Sequence, residues 1–397
     1  LATTITMAEA AADSGSPLGE GRLVVVILRG AMDGLDVVRP VTDPAFAALR
    51  PTLAAGAPAL PLGDRFGLHP ALSDLLPLWS AGELGFAHAV STPYRDKRSH
   101  FDGQDLLEAG TGMDVTARAS RDGWMNRMLQ AVPGLRAETA FAVGREALPL
   151  LLGAAPSMSW TPDAKLPLSA QGRLLLERLW HDDPLFREAG DEAITLASEA
   201  ASERRADRRA IAEADEDMSI PAPPEQPRVR GHAQIDGLVD FAAKRLRNAT
   251  RIVAFSQSGW DTHSNQVGAI GGPLGQLQHT VLQMKAGLGP DVWGKTVMLA
   301  MTEFGRTVAE NGSKGTDHGT GGVMLMAGGA LKGGRVMGRW PGLAEADLYD
   351  RRDLMPTSDV RAWAAWTMRA LYGFDRGVLE RAVFPGLDMG EDPGITL

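Results

Sequence analysis

The chain has 397 residues, 44% hydrophobic and 22% charged, with a formal net charge of −9 and no cysteine. Those proportions are those of an ordinary globular protein with a substantial core, one large α/β domain or two average ones. The acidic balance excludes the basic surface that nonspecific nucleic-acid binding requires, and the missing cysteine excludes disulfides, thiolate metal sites and a cysteine nucleophile.

Residues 1–21, LATTITMAEAAADSGSPLGEG, are rich in small residues and unpatterned. They read as a disordered segment, suited to the remnant behind a cleaved export signal and equally to a leader added for expression. The longest apolar run, LVVVIL at 23–28, is strand-sized, far short of the roughly 18 to 20 residues of a membrane span. This first strand ends in the glycine-bearing turn RGAMDGLD, which carries Asp33 and Asp36. A helix is expected over 69–82 and a second strand over 83–90. The loop STPYRDKR then leads into SHFDGQDLLEAG, where Ser99 with Asp102 three residues on has the form of a capping box.

From Asp182 to Asp217 the chain is rich in Ala, Glu and Arg, and MSIPAPPEQPRVRG at 218–231 is proline-rich. This is a charged, exposed helical insertion followed by a linker at about 182–231, with a lid over a site as the functional alternative. The α/β pattern resumes with a helix over 232–247, a strand over 251–256 leading into QSGWDTHSNQ, and a helix near 273–287. A strand over 295–302 then ends at EFGRT. The glycine-rich loop GSKGTDHGTGG at 312–322 precedes the buried segment GGVMLMAGG, and a last helix spans 357–373, closed by glycine. Strands alternating with helices predict an α/β fold with a mostly parallel central sheet and helices on both faces.

In such sheets ligands bind beyond the carboxyl ends of the strands, and acidic and histidine residues collect there. Asp33 follows the first strand, Asp261 and His263 follow the strand at 251–256, and Glu303 ends the strand at 295–302. In extended backbone residues i and i+2 point the same way, so Asp261 and His263 can grip one ion. Adjacent residues point apart, so Asp317 and His318 can serve different ions of a two-metal pair, or simply face water in a turn. Carboxylate and imidazole without thiolate suit zinc, manganese or a mixed pair. Ser99 is either a nucleophile activated at a metal or only a helix cap. His100 is a further ligand candidate, and Arg98 or Arg306 an anion clamp. His88, on a predicted strand, is structural, and Trp260 packs by default.

The ordered motifs LVVVILRGAMDGLD, FGLHPAL, RSHFDGQDLLEAG, WDTHSNQ, TEFGRT and GTDHGTGGVML…GGRVMGRWPGL resemble a bacterial family catalogued as domain of unknown function 1501. That family is grouped with the alkaline phosphatase superfamily. The resemblance implies a single alkaline phosphatase-like domain over 22–397 and one or two divalent metals. It implies a hydrolase or transferase acting on a small-molecule or glycan-linked phosphate or sulfate ester. It also implies twin-arginine export to the periplasm or beyond. Carried over by motif, Asp33, Asp261, His263, Asp317 and His318 are metal ligands, and Ser99 or a near neighbour is the nucleophile.

Two departures stand out. TEFG occupies the strand end where relatives carry DHG, which makes Glu303 the counterpart of that Asp. No histidine follows His318, so either His69, His100 or His263 replaces a late ligand or the site holds fewer metals. These departures leave open a non-catalytic exported protein that binds a metal or a glycan. The pattern of the formylglycine sulfatases is missing from YRDKRSHFD, which excludes that activity.

Overall fold

A computed structural model describes residues 16–95, 98–113, 122–161 and 233–397. Residues 1–15 of the leader, and the charged helix and proline-rich linker expected over 182–231, lie outside the described residues. Residues 1–159 and 238–397 form one compact unit and residues 160–237 a second. Leu18, within the leader stretch, is already buried in the core.

Strand β1 (Arg22–Leu28) is buried at every position. Leu23, Val25 and Ile27 face one side and Val24, Val26 and Leu28 the other, so both faces of the sheet are covered. Strands β2 (Val38–Arg39), β3 (Leu60–Leu62) and β4 (Phe66–Leu68) make a small antiparallel sheet of their own. The main sheet adds β5 (Leu84–Ser91), β6 (Ala140–Val143), β7 (Met158–Trp160), β8 (Ile252–Gln257) and β9 (Thr296–Met301). It is completed by β10 (Gly322–Ala327), β11 (Arg335–Met337) and β12 (Ser358–Asp359). Their spatial order is β11-β5-β10-β9-β1-β8-β6-β7, with β12 beside β5.

Pairings of β1 with β8 and β9, of β6 with β8, and of β11 and β12 with β5 are parallel. Strand β10 runs against both β5 and β9. Its reversal has a consequence for the site: the start of β10 lies at the carboxyl ends of β5 and β9. The loops after β1, β5, β8 and β9 and the glycine-rich loop before β10 therefore open at one edge of the sheet.

The helix Val360–Tyr372 starts at Asp359, whose side chain accepts from Arg361 N, and stops at left-handed Gly373. Its Val360, Trp363, Ala364 and Met368 join Leu23, Val25 and Ile27 in one apolar cluster. The helix expected over 69–82 is instead a 3₁₀ segment, Pro70–Leu75, kinked at Leu72, followed by a short α-helix, Leu76–Ser80. Pro70 and Pro77 each lack an N–H to donate, so the ladder restarts at each one. Among the described residues no helix is long and apolar enough to cross a membrane.

His88 on β5 is structural, and its chemistry is legible in its partners. Nε2 lies 3.0 Å from Val38 O, and Nδ1 accepts from Ala89 N at 2.9 Å. A carbonyl can only accept, so the neutral ring with its proton on Nε2 satisfies both contacts. The ring stacks on Phe66 and meets Trp340 edge-on. Burial, opposed by the Val38 hydrogen bond and the field of Asp33, pulls the imidazole down to about 4.

Because this pKa is depressed relative to the unfolded value of about 6.5, the contribution of His88 to stability is fully present above that value. It is lost as pH falls toward and through 4. Urea unfolding should show the wild type losing about 3 kcal/mol more than His88→Gln between pH 7 and pH 4. Equal losses would show that His88 does not titrate with folding.

Candidate metal centre

The glycine-rich loop is built for backbone-on-backbone contact. A Cβ at Gly315 would lie 2.4 Å from the His263 carbonyl, and one at Gly319 would lie 2.4 Å from the Arg306 carbonyl. Only glycine permits either approach. Thr307 N donates to Asp317 O at 2.8 Å, Gly319 N to Gly305 O at 2.8 Å, and Gly305 N to Thr320 O at 3.0 Å. The loop is thus clipped to the segment that follows β9, with His318 aimed inward and Asp317 outward.

Three imidazoles converge on one carboxylate oxygen. Asp261 Oδ1 lies 3.1 Å from His263 Nε2, 3.3 Å from His318 Nε2 and 3.4 Å from His100 Nε2. His263 Nε2 and His318 Nε2 are 2.9 Å apart. Suitable donor atoms of His100, Asp261 and His318 all lie within 4.8 Å of one another. This set has the chemistry of a divalent-metal site, with nitrogen donors and one hard oxygen.

The other ring nitrogen of each histidine is held by an acceptor. His318 Nδ1 meets the Arg98 carbonyl at 2.7 Å, His100 Nδ1 meets Glu303 Oε1 at 2.7 Å, and His263 Nδ1 meets Asp317 Oδ1 at 3.2 Å. Each acceptor places the proton on Nδ1 and leaves the lone pair of a neutral ring on Nε2, facing the cluster. That is how ligand histidines are oriented by their outer partners. His100 Nε2 is buried and has no hydrogen-bond partner among the described residues. Lone pairs this close to each other and to a carboxylate need positive charge between them, from protons or from a cation.

The electrostatics distinguish the groups of the cluster. Burial works to raise Asp261, but Arg306, His318 and His263 together bring its carboxyl down to about 2. Burial also works to raise Glu303, which is fully inside. Hydrogen bonds from His100, its own backbone, Gln104 and Thr302 outweigh this and hold it below the usual range. The Glu303 hydrogen bond, against the cost of burial, raises His100. Desolvation lowers His318 more than the Arg98 carbonyl and Asp261 raise it, so its ring is neutral near pH 7. The amide of Asn311, against slight burial and with help from His263, holds Asp317 below the usual range.

Arg306 is buried, and its guanidinium is taken up by backbone carbonyls and the Asp261 carboxylate. Nε donates to Ala31 O at 2.7 Å and Nη1 to Thr316 O at 3.1 Å. Nη2 reaches Gly30 O at 2.6 Å, Trp260 O at 3.0 Å and Asp261 Oδ1 at 2.6 Å. These contacts hold the guanidinium between the surrounding loops and Asp261.

Asp33 stands apart from the cluster. Its Oδ2 takes Arg50 Nη1 at 2.6 Å and Gln266 Nε2 at 2.6 Å, and its Oδ1 takes Leu35 N at 3.2 Å. Ser99 caps the helix His100–Ala109, accepting from Asp102 N at 3.4 Å. Its own N–H goes to the Tyr94 hydroxyl at 2.9 Å, so the reciprocal half of a capping box is replaced. The Arg98 side chain reaches Asp353 Oδ2 at 3.3 Å. His69 accepts from Ala71 N and starts the 3₁₀ segment. Trp260 is buried and donates to Gln257 O. Sequence reasoning missed Gln104 and Asn311, which brace Glu303 and Asp317, Asp353, which holds Arg98 and Arg352, and Arg50 and Gln266, which occupy Asp33. Asp353, Arg50 and Gln266 are buried polar residues and Gln104 and Asn311 half-buried ones, a signal visible only after folding.

Residues 85–367 match the family described as Protein of unknown function (DUF1501), and the chain belongs to that family. No curated protein matches it. Among solved structures, the crystal structure of Ps i-CgsB is similar over 90% of this chain and 73% of that one, at 8% identity and a TM-score of 0.37. Its complex with k-i-k-neocarrahexaose is similar over 90% and 72%, at 10% identity and a TM-score of 0.36. Likeness at this level leaves the site to be read from the chain's own residues.

Arg306→Met would strand several buried carbonyls and loosen Asp261. Denaturant unfolding should show a loss of roughly 3–5 kcal/mol. A loss below about 1 kcal/mol, the size of an ordinary substitution, would contradict the anchoring role.

Proposed function

We propose that His100, His263 and His318, through Nε2, and Asp261, through its carboxylate, hold one divalent cation. The protein then acts as a hydrolase or transferase on a phosphate or sulfate ester. The observation that carries this is the tautomer pattern: three Nδ1 atoms tied to acceptors and three Nε2 atoms turned on Asp261. Three nitrogens and one oxygen favour zinc over manganese. With Asp33 engaged by Arg50 and Asp317 by His263 and Asn311, one ion fits these residues better than a pair.

When bound, such an ion supplies Lewis acidity toward an ester oxygen and toward water. The chain's own residues supply orientation and charge. Asp353 is fully buried and joins two guanidiniums, Arg352 through Oδ1 at 3.1 Å and Arg98 through Oδ2 at 3.3 Å. Arg352 also donates to His318 O at 3.2 Å. With Asp261, Glu303 and Asp317 also close by, the bound cation supplies the positive charge that an anionic substrate needs. Twin-arginine export belongs to the same proposal and rests on the resemblance of motifs. A second reading, a non-catalytic metal- or glycan-binding protein, draws on the capping role of Ser99 Oγ. It also draws on the number of protein donors, since four close a tetrahedral site.

Metal-depleted protein titrated with zinc should take up one equivalent, and His318→Ala should take up none at that site. Glu303→Gln keeps the shape but weakens the acceptor behind His100, so zinc affinity should fall by about 10–100-fold with the fold intact. Ser99→Ala should cost roughly 0.5–2 kcal/mol and leave zinc content unchanged. Equal zinc uptake by the wild type and His318→Ala would sink the metal reading, and loss of turnover by a folded, zinc-loaded Ser99→Ala would restore Ser99 as nucleophile.

A further inference from the structure

The four donors of the cluster are not held alike. His100, Asp261 and His318 bring donor atoms within 4.8 Å of one another, and His263 is outside that set. The side chains of His100 and His318 are 24% and 19% exposed, against 43% for His263. Phe304 packs against both inner rings, with centroids 5.3 Å and 5.2 Å away, whereas the ring contact of His263 among the described residues is with His318. The braces differ in the same sense. His100 and His318 are tied at 2.7 Å to the fully buried Glu303 carboxylate and to a backbone carbonyl, while His263 is tied at 3.2 Å to Asp317, whose carboxylate is half exposed. The backbone around His263 is fixed nonetheless. Asn311 Nδ2 donates to His263 O, Thr262 Oγ1 to Gln266 Oε1 and Asn265 N to Ser313 O, each at 2.9 Å. The loose part of this residue is its ring.

We infer that His263 is an exchangeable ligand: His100, Asp261 and His318 hold the ion throughout, and His263 yields the fourth position to an incoming ligand. The inference rests on the metal reading above and adds to it the way in which the site opens. Four protein donors close a tetrahedral site, and chemistry at the metal requires an open position. In the exchange a lone pair of the incoming ligand replaces that of His263 Nε2. The departing ring stays neutral, with its Nδ1 proton still held by Asp317. It loses one polar contact, and because the side chain is already exposed, water satisfies the freed nitrogen. His100 has no such outlet. Its Nε2 is buried without a hydrogen-bond partner among the described residues, so withdrawal there would leave a stranded polar atom.

Cobalt(II) in place of zinc makes the coordination visible in the absorption spectrum, and azide serves as the incoming probe. His263→Ala, in the full chain, should still take up one equivalent of cobalt, whereas His318→Ala should take up none. Azide, followed by the cobalt bands, should bind His263→Ala about ten-fold or more tightly than the wild type, because no imidazole has to leave first. Asp317→Ala removes the acceptor behind the His263 ring and should shift azide affinity in the same direction by a smaller factor. Glu303→Gln loosens His100 instead and should not tighten azide. Circular dichroism of each variant should match the wild type. Loss of cobalt from His263→Ala as complete as from His318→Ala would overturn the inference. So would azide binding to His263→Ala that is unchanged, weaker or undetectable, or equal tightening by Asp317→Ala and Glu303→Gln. In each of those cases cobalt bound by the wild type leaves the metal reading standing, while a wild type that takes up no cobalt overturns both.

Discussion

The guanidinium of Arg306 joins backbone from the loops after β1 and β8 and from the glycine-rich loop before β10, while its own residue follows β9. Each of those carbonyls is taken out of water, so each requires a donor, and a single planar cation supplies them all. The remaining contact, to Asp261 Oδ1, turns this structural knot into a chemical one. It fixes the oxygen on which three imidazoles converge, and holds it ionised.

Charge and tautomer follow from that anchor. Glu303, Asp317 and the Arg98 carbonyl each draw a ring proton outward, so the inward nitrogens act as donors of electron pairs. The braces come from different places in the chain. Glu303 ends the strand path of β9, Asp317 is the neighbour of a ligand candidate, and the Arg98 carbonyl lies just before the helix that carries His100. His100 also stacks on Phe304 and lies edge-on to His318, so its ring plane is set by packing as well as by hydrogen bonding. Such preorganisation keeps a site in shape before any ligand arrives.

Much of this was legible in the sequence because it is local. The buried runs of β1, β8 and β9 announced themselves by length and apolarity, and the histidines and acids fell in the loops that follow them. Asp261 with His263 and Asp317 with His318 were visible as spacings, and the divergence of adjacent side chains foretold that Asp317 and His318 face different partners. Asp317 Oδ1 meets His263 and Asn311, and nothing local says so. Asp33 likewise looked like a ligand, but Arg50 and Gln266, remote in sequence from each other, enclose it. The reversal of β10 was hidden because a strand buried on both faces reads the same in either direction. The helix over 69–82 failed for a local reason, two prolines, which a closer weighting of missing N–H groups would have detected.

The central claim is that His100, His263, His318 and Asp261 form one metal centre. Anomalous diffraction at the zinc edge, from crystals of the protein grown with zinc, measures this directly. A single strong peak is predicted within about 2.0–2.2 Å of the Asp261 carboxylate and of the imidazole Nε2 atoms. A map without a peak among these residues, or with its strongest peak at Asp33 and Asp36, would contradict the account.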